Sequence, residues 1–279
     1  FDGVTFTSFT DGVCAGEMLD VAVDNDNVKW FITAKTVIKH DDAVWEMYDH
    51  EKGLPAEWLT TIAVDRNNTI WIGTSGLGII SFDGQSWQHY TEYMPNVVSI
   101  AVSKENTLWF GDYRGSVFSF DGSEWQQIQV TDSSWYLYSC TLDSEDVIWC
   151  GTDQGLYRII EGEKQLFNKV DGFNYSTRIL VVADSNDVLW MSGYQGITRY
   201  DGNKFTNFLG FTGISNTYVC SIAIDHDNVK WFGHRSEWIS YFNDISWYGY
   251  IRDNYILAED IAVSQNNFIW FTAERKKPI

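Results

Sequence analysis

The sequence predicts an all-β fold, a seven-bladed β-propeller of four-stranded antiparallel blades, and three observations predict it. An apolar triplet, a polar turn and an apolar residue followed by tryptophan recur seven times, ending at Trp30, Trp71, Trp109, Trp149, Trp190, Trp231 and Trp270. These tryptophans lie 41, 38, 40, 41, 41 and 39 residues apart. A period of about forty with several short strands per unit marks a propeller. The third observation is an Asp-Gly pair ahead of an aromatic residue, at Asp83-Gly84, Asp121-Gly122 and Asp201-Gly202, which is a hairpin signal.

One unit shows how each strand follows. Residues 61–64 alternate small and large side chains, the period of a strand. Residues 65–68, Asp-Arg-Asn-Asn, supply a turn whose side chains can bond the local backbone. Residues 70–74 form the second strand and place Ile62 opposite Ile72. Residues 75–78 form a loop, 79–82 a third strand, and 87–90, beyond the Asp-Gly turn, a fourth. Residues 40–42 and 242–244 are weaker copies of that turn, and Glu161-Gly162 replaces it once.

Phe1-Asp2-Gly3 is a further copy with no strands before it, while the Trp270 unit stops before any such turn. The N-terminal strand is therefore expected to close the last blade and cover an open sheet edge. The whole chain, 1–279, reads as a single propeller domain that begins in mid-repeat as a trimmed product. Small residues eight and ten positions before the tryptophans suit a crowded inner strand, and the tryptophans suit the spaces between blades. Aspartates six before the tryptophan, such as Asp24 and Asp65, are expected to cap turns.

Residues 71–78, Trp-Ile-Gly-Thr-Ser-Gly-Leu-Gly, resemble the repeat of the two-component regulator propeller family, as do residues 109–112 and 149–158. The resemblance covers essentially the whole chain. It implies a propeller like the periplasmic sensory parts of bacterial hybrid histidine kinases, many of which sense carbohydrate, and a periplasmic or extracellular location. Trp270-Phe271-Thr272-Ala273-Glu274 echoes the repeat of the streptogramin lyases.

Composition narrows the function classes. A formal charge of −19, from 38 acidic and 19 basic residues, argues against nucleic acid and anionic membranes as partners. No apolar run approaches the roughly twenty residues of a membrane-spanning helix, so membrane insertion is not expected. The four cysteines lack metal-ligand spacing. Cys140 and Cys150 replace core hydrophobes and are expected to face each other, as two buried thiols or as a cross-strand disulfide. No nucleophile elbow, metal-binding helix motif or phosphate loop occurs, so no catalytic residue, metal ligand or cofactor is assigned. His40, His89 and His226 are expected on the surface, with His234 at a loop.

Candidate function lies where the repeats differ. The connections between blades and the loops after the second strands are expected to open on one face around the central funnel. They carry Trp58, Tyr93, Tyr113, Arg114, Trp135, Tyr136, Tyr194, Tyr218, His234, Arg235 and Trp238. Aromatic faces beside arginine suit a small saccharide or a peptide ligand. Glu17, Asp20, Glu259 and Asp260 are expected to crowd one side of the funnel, where like charges raise a pKa or recruit a cation such as Ca²⁺. Three readings stand at this point: a non-enzymatic binding or sensor propeller, a carbohydrate-active or lyase-type enzyme using that cluster, and a scaffold for a protein partner.

Overall fold

A computed structural model describes residues 1–2, 7, 16–91, 96–132, 135–173, 178–193, 196–208, 218–234, 238–251 and 256–275. They form six four-stranded antiparallel sheets and one sheet of two strands. The first blade is Asp20–Val23, Lys29–Ile32, Val37–His40 and Trp45–Tyr48, each strand bonded to the next. The second is Leu59–Val64, Ile70–Thr74, Ile79–Phe82 and Trp87–Tyr90. Four more follow the same order from inner strands Val97–Val102, Leu137–Leu142, Leu180–Ala183 and Val219–Ile224.

The Trp270 unit differs: among the described residues it contributes a terminal sheet of two strands, Ile256–Val263 and Ile269–Arg275. The expectation of seven four-stranded blades is thereby corrected to six. The tryptophan repeat counts inner hairpins, and an inner hairpin does not by itself bring the two outer strands that complete a blade. Phe1 N–H donates to Ile269 O at 2.8 Å, and Ile269 N–H returns a bond to Phe1 O at 2.9 Å. The remainder of the expected closing strand falls almost entirely outside the described residues. Inner strands of successive units touch in order, and Asp20–Val23 touches Ile256–Val263, so the units close into a ring. They surround a cavity of about 1060 Å³.

Register explains the repeat. Ile62 pairs with Ile72, and the residue eight before each tryptophan lies directly opposite it, as Ala22 does Trp30 and Ala63 does Trp71. A small side chain there leaves the indole free to lean onto the next unit. Trp71 meets Phe110 and Phe120 of the third blade edge-on, both at 5.9 Å between centroids. Trp190 meets Phe232 of the sixth blade at 6.0 Å, and Trp270 meets Phe31 of the first at 6.1 Å.

The recurring aspartate does more than cap. Asp65 Oδ1 accepts the turn N–H groups of Asn67 and Thr69, while Oδ2 accepts the Trp71 indole N–H at 3.0 Å. The same indole bond holds Trp30, Trp149, Trp190 and Trp231. Ser103 and Ser264 take the aspartate's place in the other two units, and there Trp109 and Trp270 are only half-buried.

A second device joins the turns themselves. Asn27, Asn68, Asn106, Asp146, Asp187, Asn228 and Asn267, each three before a tryptophan, have φ between 57° and 64°. Asn and Asp tolerate this left-handed conformation better than other side chains. Each projects Oδ1 to a backbone N–H of the preceding unit. Asn25 donates to Asn68, Arg66 to Asn106, Lys104 to Asp146 and Ser144 to Asp187, at 2.7–3.2 Å. Ser185 donates to Asn228, His226 to Asn267, and Gln265 to Asn27, at 3.0–3.1 Å. The last bond returns to the first blade and completes the circle.

Cys140 lies directly opposite Cys150, and both are buried free thiols. Burial pushes Cys140 up to about 11 and Cys150 well above its ordinary value. Cys14 falls outside the described residues. His40 corrects an expectation: it is buried in a third strand, its ring stacked on Trp45 at 3.9 Å, and burial lowers its pKa. Its strand faces Trp270, so the position is sealed by the ring closing.

Two stability measurements follow. Trp71→Ala vacates a buried inter-blade site and is expected to destabilise by about 3–5 kcal/mol in denaturant titration. Asn228→Gly keeps the left-handed backbone but loses the acceptor for Ser185, a loss of about 1 kcal/mol. Asn228→Ala adds a conformational penalty of about 1 kcal/mol. Equal stability of the two Asn228 variants would mean that the backbone conformation carries no penalty there.

Candidate functional site

In the second to sixth blades the chain enters its inner strand through a residue that precedes a buried apolar one. Trp58 precedes Leu59, Asn96 Val97, Tyr136 Leu137, and Tyr218 Val219. These entry residues are bonded to the loop after their own second strand. Ser75 N–H donates to Trp58 O at 2.8 Å, Tyr113 to Asn96 O at 2.8 Å, and Asp153 to Tyr136 O at 3.3 Å. The loop of the preceding blade binds too, since Leu59 N–H donates to Ala34 O and Leu137 N–H to Tyr113 O, at 3.1 and 3.2 Å. Entry residues and second-strand loops thus share one end of the ring.

At that end Tyr113, Tyr138, Arg178 and Tyr218 line the central cavity. Tyr136 stacks on Tyr113 with centroids 4.4 Å apart and planes 11° from parallel. Tyr138 meets the same ring edge-on at 5.9 Å. Burial, and then the Asp153 carboxylate, push the Tyr138 phenol well above its ordinary pKa. The Arg178 guanidinium lies 5.8 Å over the Tyr218 ring, within cation–π range. Asp153 Oδ1 accepts Tyr136 N–H at 2.7 Å and fixes the start of that strand. Asp112 accepts N–H groups of Asn96 and Arg114 at 3.2 and 3.1 Å, and burial raises its pKa.

The other predicted residues scatter. Trp58 is exposed on the rim, with Lys35 Nζ 5.6 Å over its ring. Arg114 and Trp135 are exposed there as well. His234 is buried inside the sixth blade, a ring nitrogen 2.8 Å from Ser240 Oγ. Trp238 opens the strand Trp238–Phe242. Tyr93, Tyr194 and Arg235 lie outside the described residues.

Sequence reasoning missed Arg178 and Tyr138. Arg178 precedes buried Ile179 as Trp58 precedes Leu59, so it is the fifth blade's entry residue. That blade runs one residue short between entry and tryptophan, which hid the equivalence. The signal was present: twelve before the tryptophan, the seven units read Met18, Leu59, Val97, Leu137, Arg178, Val219 and Ala258, a lone charge among apolar residues. Tyr138 is likewise the lone aromatic at its offset.

Of the four acidic residues expected to cluster, Asp20 and Asp260 come together in the cavity wall, and Val21 N–H donates to both, at 2.7 and 3.1 Å. Glu17 is exposed. Nothing of the Glu259 side chain is described. Among the described residues no group of three or more His, Cys, Asp or Glu could hold a metal ion.

Residues 53–76, from the turn before Trp58 to the loop after Trp71, match the family described as two component regulator propeller. The match spans a single repeat unit of the ring. No curated protein matches the sequence. Among solved structures, the repeat's ring resembles a streptogramin B lyase at TM-score 0.81 and 15% identity, covering 92% of this chain and 91% of that one. A catalytically inactive virginiamycin B lyase from Staphylococcus aureus, solved with quinupristin, matches at 0.80 and 16%, covering 96% and 94%. The extracellular domain of a hybrid two-component system from B. thetaiotaomicron matches at 0.76 and 15%, covering 95% of this propeller but 38% of that domain. At such identities the likeness is one of fold.

Two of the entry residues also store strain. Trp58 and Arg178 have φ of 60° and 62°, a conformation unfavourable for side chains of their size. Trp58→Gly is expected to keep the fold and gain up to about 1 kcal/mol in denaturant titration, because glycine adopts this backbone freely. A loss of stability instead would show that the indole's contact with Lys35 outweighs the backbone penalty.

Proposed function

We propose that this protein is a ligand-binding propeller that recognises a saccharide or a peptide at the mouth of its central cavity, on the extracytoplasmic side of a cell. The supporting observation is the collar at that mouth, where Tyr113 and Tyr136 form a stack and Arg178 lies over Tyr218. Ring faces suit the apolar face of a sugar or side chain, while Arg178, Asp153 and the phenols offer hydrogen bonds at its edge. The rings are held by one another and by backbone bonds, so little side-chain freedom is lost on binding. The similar extracellular domains of two-component systems support a sensory role and location, although a shared fold does not fix function.

The rival reading, a lyase-type enzyme, draws on the lyases whose structures this chain matches over nine-tenths of both lengths. Asp20 and Asp260 would be its acid and base. Their oxygens already accept backbone N–H bonds from Val21 and Ile62, which favours binding over chemistry.

Glycan and peptide arrays probed with the purified protein test the proposal. Tyr136→Ala and Tyr218→Ala are each expected to weaken binding to the array hit by about 2 kcal/mol, or roughly thirtyfold, with unchanged melting. Binding that survives both changes would move the site away from this mouth.

A further inference from the structure

Ten residues before the tryptophan, in four of the seven units, a side-chain oxygen reaches the backbone of the next unit. Ser99 Oγ accepts Cys140 N–H at 3.0 Å, and Ser139 Oγ accepts Val181 N–H at 2.9 Å. Asp20 fills this place in the first blade, Oδ2 accepting Ile62 N–H at 2.8 Å and Oδ1 that of Val21 at 2.7 Å. Asp260 fills it in the terminal sheet, where Oδ2 accepts the same Val21 N–H at 3.1 Å. One amide therefore faces two carboxyl groups. This is also the junction where the first blade meets the last sheet, far apart in sequence.

We propose that Asp20 and Asp260 share one proton across this junction, making the final closure of the ring a proton-dependent latch. Two carboxylates at one amide repel, whereas a proton between them converts the repulsion into a hydrogen bond. Burial, then the Asp20 charge and a hydrogen bond to Asp20, raise Asp260 well above the ordinary carboxylate range. Its own N–H is engaged with Thr272 Oγ1 at 2.9 Å.

A second observation marks the same place. The Ser221 hydroxyl, next around the ring and 2% exposed, finds no hydrogen-bond partner among the described residues. In the pattern of Ser99 and Ser139 it would accept Ile261 N–H, but that donor is turned to the Asp260 carboxyl. The sixth blade's hydroxyl latch is thus unmade beside the junction that carries the carboxyl pair.

The described lysines and histidine on the packed strands are committed elsewhere. Lys29 pairs with Asp42, Lys230 with Asp184 and Asp244, and His234 bonds Ser240. Asp24, at the far end of the first strand, holds the Trp30 indole, and Glu17 is exposed. Glu259, Glu274 and Arg275 are the other ionisable residues on the two terminal strands.

The sign follows from linkage. An unfolded aspartate releases its proton above pH about 3.9, while the folded pair keeps one. Stability from the shared proton is present in acid and is lost as pH rises through the raised folded value. Over that window the unfolding constant grows by up to about tenfold per pH unit relative to a protein without the pair. Denaturant titrations of the full chain between pH about 4 and 8 should show this extra slope in the parent and not in Asp260→Asn, whose amide donates permanently. Parallel profiles would overturn the proposal. Infrared spectra of the parent labelled with ¹³C-carboxyl aspartate need no variant: a protonated aspartic acid band at neutral pH is expected, and its absence would equally overturn it.

Discussion

Every unit of this protein depends on its neighbour to finish burying its tryptophan. Trp71 is covered by Phe110 and Phe120 of the third blade, and Trp190 by Phe232 and Phe242 of the sixth. A blade alone would leave a large indole face in water, so stability exists only between units and the chain must close on itself. The aspartate that caps five of the seven turns also accepts the indole N–H and so sets the angle at which the ring leans across. Where serine stands instead, the tryptophan is less deeply covered, which ties burial at the interface to one polar atom in a turn.

Closure in turn shapes the two ends of the ring differently. At one end the turns are joined by side-chain oxygens to backbone amides, repeated at every junction. At the other, main-chain bonds join loops to strand entries, as from Leu59 N–H to Ala34 O and from Leu137 N–H to Tyr113 O. Backbone there does the holding, and side chains such as Tyr218 and Arg178 line the cavity. A rigid frame carrying variable side chains at one rim is the usual division of labour between scaffold and site.

The period of the tryptophans and the opposition of Ile62 to Ile72 or Cys140 to Cys150 were legible because each follows from local pattern. The terminal sheet was not, since the repeat marks inner hairpins and is silent about the outer strands. At the candidate site, Tyr113, Tyr136 and Tyr218 could be found from their place in the repeat. Arg178 escaped because counting thirteen back from Trp190 lands on Thr177; the lone charge one residue later marks the shortening, and the burial of Ile179 explains it. His234 and His40 looked available, yet burial inside a blade depends on neighbours distant in sequence, which composition does not encode. The left-handed Asn or Asp three before each tryptophan was present in all seven units but looks like ordinary turn chemistry.

That circle of turn bonds has a bearing on divergence. Each bond takes its acceptor from a side chain but its donor from the main chain. The donors belong to Asn25, Arg66, Lys104, Ser144, Ser185, His226 and Gln265, residues with no chemistry in common. Half of every bond is therefore immune to substitution, since any residue except proline supplies the amide. The lower rim can change its charge and shape from unit to unit without loosening the ring. A frame held in this way retains its form while most of its letters are rewritten, consistent with propellers that superpose over nearly their full length at 15–16% identity.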